Sequence, residues 1–139
     1  MAPIDGQAVA NGAVWFLLSM VLGMALLVLF LRLYQTSTPY DERRLVGEGN
    51  AAAAVAVGGA LVGFAMPLAS AIRETTSPIE FVIWGVIAGI IQIIAPLVVR
   101  SLVIRDFAAK IEAGNVATGI FMAALSIGIG LINAASMTY

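Results

Sequence analysis

Three carboxamide side chains stand out in apolar stretches of the sequence: Asn50 and Asn115, each directly after a glycine, and Gln92. A carboxamide both donates and accepts hydrogen bonds, so it can join two helices, meet water at an interface, or contact an ion. The sequence has no Cys and no His, which excludes thiolate chemistry and removes the commonest general base and metal ligand. The chemistry open to the chain is therefore mainly hydrogen bonding.

Gln92 and Pro96 form a second point of interest. Proline cannot donate to the carbonyl four residues earlier, and that carbonyl belongs to Gln92. We expect a kink with a free carbonyl beside a side-chain amide. Such a site coordinates a cation or water if it lines a cavity, and otherwise it is a kink repaired by a neighbouring helix.

The composition indicates where these residues lie. Of 139 residues, 61% are hydrophobic and 11% are charged, with a mean hydropathy of +1.02. Soluble domains carry about 25% charged residues, and a soluble chain of this length could not cover so much apolar surface. The net charge of −1 and the lack of a basic cluster argue against nucleic-acid binding. The sequence predicts an integral membrane protein in a lipid bilayer.

Four uncharged apolar windows, residues 13–31, 51–72, 81–99 and 113–139, are long enough to span the bilayer. Backbone in lipid must satisfy its own hydrogen bonds, so we predict four transmembrane helices and an all-α fold. Proton-coupled transporters usually need an ionisable group within a span. None lies inside these windows, and we predict no catalytic residue, cofactor or metal site.

The basic residues give the orientation. Six of the seven Lys and Arg residues fall between windows one and two or between windows three and four. The positive-inside rule places these two segments in the cytoplasm and both termini on the periplasmic side of a bacterial inner membrane.

Helix-start signals suggest that the second and fourth helices begin before their apolar parts. Thr38 and Pro39 are followed by Asp41, which predicts one long helix over residues 39–72. Ser101 or Asp106 would cap the fourth helix in the same way.

The chain has the pattern of a helical hairpin used twice. A shift of 65 positions places Gly49-Asn50 on Gly114-Asn115, and Gly63 on Gly128. We divide the single membrane domain into repeat one, about residues 13–72, and repeat two, about residues 79–137. Two spans per repeat make these parallel repeats, related by an axis along the membrane normal.

With two hairpins whose second helices open on Gly-Asn-x-Ala, the chain resembles the bacterial YjfL family, domain of unknown function 350. Glu48 before Gly49-Asn50 fits the acidic-x-Asn opening of that family, whereas the second copy has Ala113 in the matching place. The resemblance implies an inner-membrane protein with a loose link to envelope stress and polyamine-related gene neighbourhoods, and it carries over no catalytic residue.

Small residues at helical spacing predict close helix contacts. Windows two and four are rich in Ala and Gly, so we expect them to pack centrally, with windows one and three facing lipid. The predicted packing or pore positions are Gly59, Gly63, Gly85, Gly89 and Gly128, together with Asn50, Asn115, Gln92 and Pro96.

Two functions are compatible with this pattern. The first is a non-enzymatic oligomeric membrane protein, a structural or accessory part of a larger assembly, because the small-residue surface exceeds what one four-helix unit needs. The second is a homo-oligomeric channel lined by helices two and four, with rings of Asn50 and Asn115. An enzyme is disfavoured because the residues supply no nucleophile–base pair.

Overall fold

The computed structural model describes residues 3–138, and over this range it contains helices and no strand. Six helices follow one another along the chain: α1 (Gly6–Ser37), α2 (Glu42–Gly47), α3 (Ala51–Glu74), α4 (Pro78–Val103), α5 (Phe107–Glu112) and α6 (Val116–Ala135). The four long helices α1, α3, α4 and α6 are each long and apolar enough to cross a membrane. The predicted all-α membrane fold is confirmed, and within the four predicted windows only Tyr139 lies outside the described residues.

The predicted single helix over residues 39–72 is wrong, because the chain breaks at Gly49. The amide of Gly49 donates to Val46 O and the amide of Asn50 donates to Leu45 O, at 3.0 and 2.9 Å. This is the Schellman arrangement, which needs a residue with positive φ, and Gly49 has a φ of 84°. Asn50 then begins α3, and its Oδ1 accepts a hydrogen bond from the amide of Ala53 at 3.0 Å.

The same break recurs at Gly114, whose φ is 77°. The amides of Gly114 and Asn115 donate to Ile111 O and Lys110 O, and Asn115 Oδ1 accepts from the Thr118 amide. Gly-Asn is therefore a helix stop followed at once by a helix start. Since each break lies at one end of a spanning helix, α2 and α5 are short helices at that same end of the bundle, here called the short-helix end.

The other predicted helix starts also need correction. Thr38 is the C-terminal cap residue of α1, and Asp41 begins α2 by accepting a hydrogen bond from the Arg44 amide at 3.1 Å. Ser101 lies inside α4, where its hydroxyl donates to Val98 O. Asp106 precedes α5 without a side-chain cap bond, and α6 is capped by Asn115.

Helices α3 and α6 form the central pair. They run parallel, because Ala52 lies against Gly119 near their starts and Ser70 hydroxyl donates to Ala134 O near their ends, at 3.0 Å. Helix α4 packs on both of them, whereas α1 packs on α4 and α3. Helix α1 is the least enclosed: only 22% of its apolar window is buried, against 50% for α3.

Two apolar clusters fill the spaces between the helices. The larger lies among α1, α3 and α4 and includes Phe30 and Phe64, whose rings stack with centroids 4.4 Å apart. The smaller lies at the short-helix end and contains Leu45, Phe107 and Ile111. These clusters fix the positions of the polar residues described next.

Candidate functional site

Asn50 links the two halves of the molecule. In addition to capping α3, its Nδ2 donates to Ile111 O at 2.8 Å, across a separation of 61 residues. That carbonyl belongs to the last turn of α5, so one carboxamide caps one helix and holds the end of another. Both ends of the Asn50 side chain are therefore used inside the protomer.

Asn115 caps α6, with its Oδ1 3.2 Å from the Thr118 amide, but its side chain is exposed. It does not bond to Asn50, whose amide points to α5 instead. The two equivalent residues therefore share a capping role and differ in their tertiary contacts.

Gln92 belongs to a buried polar network between α4 and α6. Its Nε2 donates to Ser126 O at 2.7 Å, and Asn133 Nδ2 donates to Ala88 O at 3.0 Å and to Gln92 Oε1 at 3.4 Å. Gln92 is 1% exposed. Helix α4 continues through Pro96, which is also buried, to Val103. The Gln92 side chain therefore joins α4 to α6 at this level of the bundle.

Sequence reasoning missed Asn133. It follows Ser126 by seven residues, two helical turns, so both lie on one face of α6. A polar side chain repeated at that spacing in an apolar helix was the available signal for a polar contact with a neighbouring helix.

Four of the five predicted small-residue positions lie against neighbouring helices. A Cβ at Gly59 would overlap the backbone of Ala123, and one at Gly85 would approach Leu26 Cδ1 to 2.7 Å. A Cβ at Gly63 would lie 2.7 Å from Gln92 Nε2, with Ser126 O closer still, and one at Gly89 would lie 3.4 Å from the Phe64 ring.

Gly128 differs from these four positions, because no atom of the protomer lies within 4 Å of a Cβ built there. The prediction that it packs in a seam is not met within the protomer. Gly119 and Gly130 make the close contacts of α6 instead, against Ala52 and Gly63. Helix α6 thus presents a different face to α3 from the one that a strict repeat would place there.

A buried carboxylate lies at the short-helix end. Glu42 is 2% exposed, and neither of its carboxylate oxygens has a hydrogen-bond partner. Burial raises the pKa of Glu42 to about 7, an effect that the nearby Gln35 side chain partly offsets. The burial of Glu42 is a tertiary effect that no local sequence pattern indicates.

Tyr40 lies near this carboxylate and contacts further aromatic and basic side chains. The Tyr40 hydroxyl is buried without a partner, and burial raises the pKa of Tyr40 to about 12. The Tyr40 ring lies 5.7 Å from that of Phe107, over which the Arg100 guanidinium lies at 4.5 Å.

Two cavities adjoin Glu42. One of about 260 Å³ lies at the end of α1 and is lined by Arg32, Gln35, Thr36, Tyr40, Asp41, Glu42 and Arg43. The other, of about 370 Å³, is lined by Leu31, Gln35, Glu42, Arg43, Val46, Gly47, Val57 and Leu61. Among residues 3–138 there is no group of three or more Asp or Glu side chains that could hold a metal ion.

Comparison with known proteins places the chain in a family. The model of the Domain of Unknown Function DUF350 matches residues 8–137, nearly the whole chain. The chain belongs to the DUF350 family. The resemblance inferred from the Gly-Asn motif is thereby confirmed, and the same motif supplies both helix breaks in the fold.

Two relatives show the same relationship along most of their length. The UPF0719 inner membrane protein YjfL of Escherichia coli strain K12 is 36% identical over 118 residues, covering 85% of this chain and 89% of the relative. The UPF0719 transmembrane protein YshE of Bacillus subtilis strain 168 is 30% identical over 112 residues, covering 80% and 84%. No solved structure matches the chain. This DUF350 chain is therefore a membrane protein, similar to proteins of the inner membrane.

Proposed function

We propose that this DUF350 protein is a non-enzymatic, oligomeric component of the bacterial inner membrane, with a structural or accessory role in a larger assembly. An envelope-stress role, which the family resemblance implies, is part of the proposal. The observation that carries it is the pairing of polar groups inside the protomer. Gln92, Asn133 and Ser70 all donate to backbone carbonyls of neighbouring helices.

Polar groups used in this way hold helices together. Within residues 3–138 they also leave no row of unpaired donors and acceptors along which an ion would exchange its hydration shell. The channel alternative requires Asn50 to face water, but its amide donates to Ile111 O and its oxygen caps α3. These bonds favour the structural role.

The outer face of α6 supports assembly. Around Gly128, whose Cβ position is open, the exposed apolar side chains include Phe121, Leu131 and Ile132. A small residue between large apolar ones lets another helix approach closely in lipid. We assign this face to contacts between copies of the chain, and the basic short-helix end to the cytoplasm.

Mass and conductance measurements on one preparation separate the two functions. The protein in lipid nanodiscs should have the mass of a defined oligomer by native mass spectrometry. The same protein in a planar bilayer should pass no current above the empty membrane. A stable conductance that disappears in Asn50→Leu would support the channel, and a single chain per disc would contradict the oligomer.

The orientation is tested separately. Alkaline phosphatase fused to the C-terminus should be active. A fluorescent protein that fluoresces only in the cytoplasm should be dark when it is fused to the same terminus. The reverse pattern would place the short-helix end outside.

A further inference from the structure

Glu42 lies at the short-helix end, between the end of α1 at Ser37 and the start of α3 at Ala51. In a membrane this position falls in the headgroup layer at the ends of the spans. A buried carboxylate without hydrogen bonds is costly, and proteins normally pair such a group. Its two oxygens accept no hydrogen bond of good geometry from the protein, although the Gln35 amide lies nearby, and they point to a ligand that carries hydrogen-bond donors and positive charge.

The cavity beside Glu42 also carries groups that attract an anion. Arg32 and Arg43 both line the 260 Å³ cavity with Glu42. The other acid there, Asp41, already accepts the hydrogen bond that caps α2. The cavity thus combines an unpaired carboxylate with two guanidinium groups, which is complementary to a ligand bearing an ammonium and a phosphate.

The second cavity adds an apolar groove to the same place. This cavity of about 370 Å³ shares part of its lining with the first one, because Gln35, Glu42 and Arg43 line both. The rest of its lining is largely apolar and follows α1 and α3 along the bundle, through Leu31, Val57 and Leu61. A hydrocarbon chain fits this groove, whereas a small soluble zwitterion would leave it empty.

We propose that these two cavities form a binding site for an aminophospholipid with a phosphoethanolamine headgroup. The ammonium donates hydrogen bonds to the Glu42 carboxylate, the phosphate accepts from Arg43 and Arg32, and one acyl chain lies in the groove between α1 and α3. This inference is independent of the proposed oligomeric role, because every residue in it belongs to one protomer.

Lipid retention by the full chain tests the site. Delipidated protein in detergent is titrated with phosphatidylethanolamine, phosphatidylcholine and phosphatidylglycerol of identical acyl chains, and bound lipid is counted by native mass spectrometry. Phosphatidylcholine has no N–H donor and phosphatidylglycerol has no ammonium. We expect phosphatidylethanolamine to bind about tenfold more tightly than either, the size of a lost charge-assisted hydrogen bond.

Two variants separate the parts of the headgroup. Glu42→Gln keeps the shape and removes the charge, so it should abolish the preference for phosphatidylethanolamine over the other two lipids. Arg43→Gln should weaken all three lipids, because each has a phosphate. The matched controls are Glu48→Gln and Arg44→Gln, which alter the exposed ion pair of the same helix and should leave binding unchanged.

Three results would overturn the assignment. Equal retention of phosphatidylethanolamine and phosphatidylcholine by the wild type would remove the role of the N–H donors. A preference that survives in Glu42→Gln, with unchanged circular dichroism, would remove the role of Glu42. Binding of free phosphoethanolamine as tight as that of the lipid would assign the site to a soluble zwitterion.

Discussion

The two halves of this molecule use the same local signal in different surroundings. Both Gly-Asn breaks have a glycine with positive φ and an asparagine that caps the next helix. Yet Asn50 also holds the end of α5, whereas Asn115 is exposed. The comparison teaches that a repeated motif fixes the backbone, while the neighbours of each copy decide what its side chain does.

Two further pairs at the same separation of 65 residues show the same divergence. Gly63 is enclosed by α6 and α4, but its counterpart Gly128 has open space above it. Glu42 is a buried, unpartnered acid, and its counterpart Phe107 is a buried apolar residue. In each pair, a contact or group of the first half of the chain is missing from the matching position in the second half.

The glycine pair gives the largest expected difference. A Leu side chain at Gly63 would clash with the Ser126 carbonyl and Gln92, so Gly63→Leu should lower the free energy of unfolding by about 3 kcal/mol. In the monomeric protein, where no second copy covers this face, Gly128→Leu should change it by less than about 0.5 kcal/mol. Reversible unfolding in mixed micelles measures both. Equal losses in the two variants would show that the halves pack alike.

The Glu42 and Phe107 pair predicts that the free energy of unfolding depends on pH through Glu42, with no equivalent contribution from Phe107. The pKa of Glu42 is about 7 in the folded protein against an ordinary value of 4.5. Between these values the folded protein keeps a proton that the unfolded chain releases, so stability falls as the pH rises from 4.5 to 7 and stays low above it. The loss should be at most about 3 kcal/mol in lipid-free protein.

The matched variant for this pH dependence is Glu42→Gln, which should remove that part of the pH profile. The titratable groups around Glu42 are Tyr34 of α1 and Tyr40, with Arg32, Asp41 and Arg43 lining the same cavity, and they are unchanged in the variant. Identical profiles for the variant and the wild type would show that Glu42 is solvated. Added phosphatidylethanolamine should flatten the wild-type profile, since its ammonium favours the charged carboxylate.

The asparagine pair gives the smallest difference. Aspartate keeps the capping oxygen and loses the amide donor. Asn50→Asp should therefore cost about 1 kcal/mol through the lost bond to Ile111 O, and Asn115→Asp should cost about nothing. Because the two side chains do not touch, the double variant should equal the sum of the single ones. A clear deviation from additivity in unfolding measurements would mean that they are coupled.

The sequence was sufficient for the features that depend on local chemistry. The four spans follow from hydropathy, and the Gly-Asn breaks occur at positions that the repeat analysis had already singled out. The long helix over residues 39–72 was wrong because the positive φ of Gly49 is decided by a backbone hydrogen-bond motif that the capping signals did not include.

The faces of the helices could not be predicted in the same way. Spans that are apolar all round carry little information about which side is buried. The repeat placed Gly128 on the packed face because Gly63 is packed, but α6 turns Gly119 and Gly130 toward α3. The burial of Glu42 depends on tertiary neighbours such as Tyr34 of α1 and on Tyr40, which no local pattern reveals.

The central claim is that copies of this chain meet through the outer face of α6. The most direct test is the native mass, in lipid nanodiscs, of the wild type, Gly128→Leu and the control Gly12→Leu, whose position on α1 is equally open. We predict an oligomer for the wild type and for Gly12→Leu, and a single folded chain for Gly128→Leu. A single chain for the wild type, or an unchanged oligomer in Gly128→Leu, would contradict the claim.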